Sequence, residues 1–554
     1  MPDYTPKLNL PKPLGNENFN RANYNNLIDA IDGKVGTPDG LAQLGADGKV
    51  PPTQLPESIG NASSLNGKAI LFTNLQDNDT LRYDAQLDKW RNVAQNIDRT
   101  PPGNVSNASV TVGNGQLTLK WTDPTDSDWA STKLVRKVGG YPTSANDGTV
   151  VVTSTVRNQY QSTGFVDTGL TNGAQYYYQL FPADTSGNVN SNTANRLTAT
   201  PADYQEYGVA WNKTTGQVTR LGSGVGLTAG GGFDNKLPWQ GIRRCNLADD
   251  GTVNAYHGDP TYQDNGSNGQ VMVEIPKFWF KKTVTANGYE FWIADGPLAG
   301  YSVHPAFYRD RGTGAAVEVS KRYASAYLGF TNAGKLESKS GVTPTASQTI
   351  GTFRTQAQAR GAGWGIEDFN LFYALQMLYL VEYASMDSQT ALGQGYTGGS
   401  SARATGGTVA SGNTSSGSAS ATVQVSYRGV EDIWGNLYYW LDGLYSNASR
   451  QLLIGNRSFN DTGSGYSKTI TSGVASNSGG YMSDIVGDQD AGFIGKTFSG
   501  SSTTGLYDYG YLYAGYLPVA GGHWAAGATA GVFLLNVNYS ASHSHSYIGA
   551  RLAY

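Results

Sequence analysis

Alternation with a period of two recurs along this chain, and the spacing of an amphipathic helix is rare. Thr80-Leu81-Arg82-Tyr83 and Lys89-Trp90-Arg91-Asn92-Val93 alternate on either side of Asp84 to Asp88, which predicts two short strands around a turn. Leu117-Thr118-Leu119-Lys120-Trp121 alternates and ends on a ring suited to a sandwich core; residues 133–136 (KLVR) and 176–181 (YYYQLF) follow at sandwich spacing. Residues 271–282, VMVEIPKFWFKK, read as one strand-like run with alternating exposure. Near the start, residues 16–32 place Phe19, Tyr24, Leu27, Ile28 and Ile31 on roughly one helical face, too short a helix to make a core alone. The one long helical pattern is residues 366–385. Phe369, Phe372, Tyr373, Leu375, Met377, Leu378, Leu380 and Val381 cover much of its circumference, so it is expected to be largely buried. Residues 393–420, dominated by Gly, Ser, Thr and Ala, predict a mobile surface loop or insertion.

The most informative stretch is residues 521–552, GGHWAAGATAGVFLLNVNYSASHSHSYIGARL. Its Gly-Gly-x-Trp opening, Gly-punctuated apolar centre and closing Ile-Gly-x-Arg have the character of a frame. Between those points His523, Ala525, Ala526, Thr529, Tyr539, His543, His545 and Tyr547 have little in common. In an extended Ser-His-Ser-His-Ser-Tyr run, His543, His545 and Tyr547 share one face and the serines the other. Rings with polar tips, separated by small residues, suit a contact surface better than a core. His, Tyr, Ser, Thr and Ala are also reachable from an Asn codon by changes at its adenines. We read a constant scaffold that holds an interchangeable face.

Composition narrows the class. At 554 residues, three or four units are expected. Lys plus Arg (39) nearly balances Asp plus Glu (43), which argues against nucleic acid or an anionic membrane as the main partner. High Gly (72) and Tyr (35) with 15% charged residues fit a β-rich extracellular or virion-surface protein. The single cysteine, Cys245, forbids an intrachain disulfide, so packing and association with further copies must hold the fold. The first residues lack the pattern of a secretory signal, and no stretch is apolar enough to span a bilayer; Leu371 to Val381 comes closest but contains Gln376. A protein made in the cytosol with a surface-type composition suggests a phage structural component released by lysis.

Resemblances sharpen these expectations. GTPDGLAQLGADGKVPPTQLP, residues 36–56, resembles a segment near the start of phage tail fibres, which implies that residues 1–60 attach to the tail or baseplate; the alternative is an ordinary linker. Residues 61–98 resemble a tail-fibre element of a trimeric shaft, in which self-association supplies the missing core. Residues 99–202, with Trp121, the Leu170…Tyr176 corner and a hairpin turn at 183–188, resemble a fibronectin type III domain, read as a spacer more readily than as a contact module. In residues 203–554, Tyr427-Arg428-Gly429-Val430-Glu431-Asp432-Ile433-Trp434-Gly435-Asn436, with Trp440 and Asp442-Gly443, resembles the E-x-x-W-G-N-x-x-E-W element of formylglycine-generating-enzyme-type C-type-lectin folds. Gly521-Gly522-His523-Trp524 and Ile548-Gly549-Ala550-Arg551 resemble the terminal elements of the same group, which includes the variable proteins of diversity-generating retroelements. Two departures stand out. The cysteine pair of the oxidases in that group is missing, which removes their chemistry, and Tyr439 precedes Trp440 where a Glu is common.

Other chemistry is weaker. His543-x-His545 could face a metal, with His523 as the one candidate third ligand, but solvent-facing recognition is the better reading. Glu431, Asp432 and Asp442 could suggest a glycosidase pair, yet a structural role for these carboxylates is preferred. Gly222 to Gly226 and Gly230 to Phe233 lack the Lys-Ser/Thr of a phosphate loop. Cys245 follows Arg243 and Arg244, which could lower its thiol pKa, although a buried filler is the plainer reading. No cofactor, metal, nucleic acid or membrane insertion is expected.

The sequence therefore predicts a multidomain, mainly β protein: an attachment and shaft region, a fibronectin type III sandwich and a carboxy-terminal α+β C-type-lectin fold. The expected function is a phage tail-fibre adhesin, a homotrimer at the virion's tail tip that contacts a host-surface protein or glycan. Its contact face comprises His523, Trp524, Ala525, Ala526, Thr529, Asn536, Asn538, Tyr539, His543, His545 and Tyr547. The rival readings are a tip depolymerase cutting surface polysaccharide and a purely structural fibre protein.

Overall fold

The computed structural model describes Tyr4, Pro6 and residues 21–34, 64–72, 79–93, 98–310 and 314–554. The tail-fibre-like segment 36–56 and the start of the first helical pattern, Phe19 included, lie outside the described residues. The protein is mainly β, and the chain divides into two compact units, Met1–Pro102 with Asp184–Asn188, and Gly103–Ala183 with Val189–Tyr554.

In the first unit a helix spans Arg21–Asp32. Of its described apolar side chains Ile28 is buried, whereas Tyr24, Leu27 and Ile31 are exposed. The two strands read around residues 84–88 are Thr80–Asp84 and Lys89–Val93, paired antiparallel with Tyr83 opposite Trp90. Asp84 holds the turn, its Oδ1 accepting from the backbone N–H groups of Gln86 (3.0 Å) and Leu87 (3.2 Å). With Ser64–Leu65 and Lys68–Leu71 they make a four-stranded sheet. Leu65, Leu71, Leu81 and Tyr83 are exposed, so this small sheet encloses no core of its own.

The second unit begins with a seven-stranded sandwich. A three-stranded sheet (Ser106–Gly113, Gln116–Thr122, Phe165–Thr168) faces a four-stranded one in the order Arg196–Ala199, Tyr176–Asp184, Trp129–Val138, Thr149–Ser154. Alternation decides what goes inside: Leu117, Leu119 and Trp121 are buried while Thr118, Lys120 and Thr122 are partly exposed. Asp167 ties the sheets together, accepting from Arg136 and from the Tyr178 hydroxyl, each at 2.7 Å. The Tyr176 hydroxyl accepts from the Thr171 backbone N–H at 3.1 Å, which closes the corner.

Residues 203–554 build three larger sheets. One is five-stranded and runs Val218–Gly222, Glu206–Asn212, Gly288–Ala294, Trp279–Thr285, Ser302–Val303. A six-stranded sheet orders Val253–Tyr256, Arg243–Leu247, Gln270–Pro276, Lys321–Ser325, Leu552–Ala553, Gly365–Ile366. The second six-stranded sheet orders Ser478–Tyr481, Tyr509–Leu512, Leu535–Tyr539, Leu517–Ala520, Tyr438–Trp440, Ile548–Ala550. The last residues thus enter both six-stranded sheets, which anchors the end of the chain within two cores.

Three expectations change. Residues 271–282 are two strands in different sheets rather than one. The first does not alternate, because both faces of its sheet are covered: Met272 packs with Cys245 and Leu247, Val271 and Val273 with a second core. The long helix is Phe369–Tyr383; Asp368 caps it, accepting from the Leu371 N–H at 3.1 Å, and Gly365–Ile366 is already strand. All of its residues except Tyr383 are buried, so the all-round apolar pattern was informative. Residues 393–420 are not a loose insertion. Thr397, Thr405 and Thr408 are buried there, and the backbone is bonded to the 431–436 strip.

Candidate functional site

The strip 427–443 and the closing Arg551 are scaffold. Trp434 and Trp440 are fully buried, their indole N–H groups donating to the carbonyls of Gly393 (3.1 Å) and Gln348 (3.3 Å). Glu431 accepts from the backbone N–H of Gly406 and of Thr408 and from the Thr408 hydroxyl, all at 2.7 Å. Beside it Asp432 accepts from Gln424 (2.7 Å) and Asn436 (2.8 Å); burial first, then the Glu431 carboxylate, pushes its pKa up. Asp442 is held by the Arg354 guanidinium at 2.6 Å. Glu431, Asp432 and Asp442 thus each accept from scaffold groups, while Asp432 Oδ1 is buried without a hydrogen-bond partner among the described residues. The Tyr439 hydroxyl donates to the Ile433 carbonyl (3.0 Å), and the Arg551 guanidinium lies over its ring at 5.0 Å. Arg551 also donates to the carbonyls of Ser325 (3.2 Å) and Glu431. Gly521 is required at its turn, with φ +86° and the Ile433 carbonyl 2.9 Å from where a Cβ would stand.

On this scaffold the rings gather. His523 stacks on Tyr547 (centroids 4.7 Å, planes at 23°), and Tyr547 on His545 (3.7 Å, 29°). His545 lies parallel to His543 (6.4 Å, 9°), and His543 contacts Tyr539 at 4.8 Å. The column rests on Tyr438, a ring the sequence reading did not select, which lies 5.1 Å from His523 and 5.9 Å from Tyr547. Residues 540–547 are not the extended run expected. Turns bond the His543 N–H to the Ser540 carbonyl and the Ile548 N–H to that of His545. The stack forms regardless, because ring packing rather than strand geometry aligns the side chains.

His545 and Ala525 are exposed; His523, Trp524, Ala526, Thr529, Asn538, Tyr539, His543 and Tyr547 are intermediate. Trp524 joins through His523 (5.3 Å), and Ala525, Ala526 and Thr529 form the turn that follows. Asn536 is a correction. It is 3% exposed, lies beneath the face and donates to the Tyr438 hydroxyl at 3.4 Å, because strand 535–539 is inner in its sheet. A bulge makes Asn538 the extra residue opposite Leu517–Pro518, so Tyr539 returns to the same side as Asn536.

Burial first, and then His545, pushes the His523 pKa down to about 4, and its Nδ1 accepts from the Ala525 N–H at 3.2 Å. The neutral ring therefore carries its proton on Nε2. Among the described residues the three imidazoles do not bring three ligand atoms together as a metal site would require. Cys245 is buried, and burial pushes its thiol up to about 12, the reverse of an activated thiolate.

No family model and no curated protein matches the chain. Among solved structures it is similar to the Major Tropism Determinant P3c variant, at 14% identity over 69% of this chain and 81% of that one, with a TM-score of 0.24. Similarity to the I1 variant covers 79% of this chain and 91% of that one, at 13% identity and a TM-score of 0.24. The chitinase ChiA74 from Bacillus thuringiensis is similar over 41% of this chain and 27% of that one, at 15% identity and a TM-score of 0.16. Likeness at these levels assigns neither fold nor function. Among the described residues no helix is long and apolar enough to cross a membrane.

The sequence reading missed Tyr438, the ring on which the column rests.

Proposed function

We propose that this protein is a phage tail-fibre adhesin that binds a host-surface molecule through the ring face of residues 523–547. The observation that carries this reading is the column His523–Tyr547–His545–His543, whose side chains reach solvent while the frame that holds them is buried. Rings with polar edges contribute contact area at low entropic cost, and neighbouring small residues leave room for exchange. In this reading the motifs of 427–443, 521–524 and 548–551 belong to a C-type-lectin-type fold like that of diversity-generating retroelement proteins. Residues 99–202 act as a fibronectin type III spacer, and residues 1–98 attach to the virion and trimerise. The exposed apolar side chains of the small amino-terminal sheet support the last part, since further copies would cover them. Several copies convert weak single contacts into firm attachment through effective concentration.

The test is adsorption of labelled full-length protein to a panel of bacterial cells. Adsorption to some strains, lost when His545 and Tyr547 are both replaced by Ser, is expected. Adsorption to none, or equal adsorption of the variant, contradicts the reading.

A further inference from the structure

We infer that the recognition face extends beyond the carboxy-terminal segment onto a row of tyrosines on the neighbouring strands, and that it takes an uncharged carbohydrate. This rests on the adhesion reading above and names its ligand class.

The row lies on the same side of the sheet as the histidine column. Tyr511 is the parallel partner of Asn536, Asn536 pairs with Val519, and Val519 with Trp440; paired residues share a face. Tyr481 stands opposite Tyr509 on the edge strand. Ring centroids step outward from Tyr481 to Tyr509 (4.5 Å), Tyr511 (6.0 Å) and Tyr513 (5.8 Å), and all four rings are half-buried. Tyr511 lies against its cross-strand partner Gly479: a Cβ there would fall 2.0 Å from the ring. With no side chain on Gly479, the Tyr511 ring lies close over the neighbouring strand and stays half-exposed. That geometry suits stacking against the C–H face of a sugar, with phenol and imidazole edges left to bond its hydroxyls.

Charge and shape narrow the occupant. Between Asp508 and Arg551 the sequence has no Asp, Glu, Lys or Arg, and both of those flanking residues are buried. His523 is neutral at pH 7 because burial holds its pKa near 4. The segment 509–550 therefore brings no formal charge to a phosphate, a uronate or a nucleic acid. Nor does it offer an aliphatic anchor: among the described residues no large apolar side chain after Val423 is strongly exposed. Rings with polar rims, without formal charge and without aliphatic knobs, match a neutral glycan better than a protein or lipid partner.

The test presents full-length protein to immobilised neutral oligosaccharides of glucose, galactose, mannose and N-acetylglucosamine, at low salt and at about 1 M sodium chloride. Binding of at least one, insensitive to salt, is expected. Tyr511→Ala and Tyr513→Ala are expected to weaken it about fivefold or more each, with the melting temperature of Tyr513→Ala unchanged. Failure to bind any neutral oligosaccharide, binding that collapses in salt, or wild-type binding by both variants overturns the inference. So does a change of oligomeric state in either variant by light scattering, which would make the row a contact between copies. Periodate and protease treatment of the cells used for adsorption separates the two claims. Adsorption that survives periodate but not protease overturns the carbohydrate assignment and leaves adhesion standing. Oligosaccharide binding without adsorption to any cell overturns adhesion alone.

Discussion

His545 lies with its imidazole centroid 3.7 Å from the centre of the Tyr547 ring, and this stack of an exposed and a half-buried ring ends one residue before the fully buried Ile548. Display and framework thus meet at a single peptide bond. Replacing His545 with Ala is expected to change unfolding free energy by no more than about 0.5 kcal/mol, as for an exposed side chain. Tyr539 differs, because its ring also packs 6.0 Å from buried Trp440 and against the core. Tyr539→Ala is expected to cost about 2 kcal/mol. Chemical denaturation of both variants checks the contrast.

Arg551 is expected to resist conservative exchange. Its guanidinium donates to two carbonyls and covers the Tyr439 ring. A Lys ammonium cannot reproduce the planar fork or the stacking, so Arg551→Lys is expected to destabilise the protein by about 2–3 kcal/mol. Thermal and denaturant unfolding measure it; a loss below about 0.5 kcal/mol would contradict this assignment.

Glu431 is expected to control residues 405–412. Its oxygens receive three donors from Gly406 and Thr408. In Glu431→Gln an amide NH2 must face one of those N–H groups, so amide hydrogen exchange across 405–412 is expected to accelerate about tenfold or more. Exchange monitored by mass spectrometry reads this directly.

His523 gives a pH dependence with a definite sign. Its folded-state pKa lies near 4, below the ordinary value of 6.5. From pH 6.5 down to about 4 the unfolded chain takes up the proton first, so stability is lost as pH falls through that window and is fully present above it. Relative to His523→Phe, the wild type is expected to lose stability between those limits. Paired denaturation curves at several pH values test this; a constant difference would contradict it.

Much of the architecture could be read from the chain because local rules governed it. Alternation placed Leu117, Leu119 and Trp121 inside the sandwich, and the all-round apolar pattern buried the helix Phe369–Tyr383. Sequence pattern failed where long-range packing decided. The interior strand 270–276 shows no alternation because two cores flank it, and the Gly- and Ser-rich 393–420 is pinned by the Glu431 carboxylate and the Asn436 amide. The site was legible in its ring content, not in its geometry. The bulge at Asn538, which returns Tyr539 to the face, depends on pairing with Leu517, and Asn536 is buried by strands that no local pattern names.

The central claim is that the outermost rings of the column, His543 and His545, do no folding work. The most direct measurement replaces His543 and His545 together with Ser in the full-length protein and records melting temperature and cell adsorption on the same preparation. The account predicts adsorption abolished with melting shifted by no more than about 2 °C. Melting lowered by about 10 °C, or adsorption equal to the wild type, would contradict it.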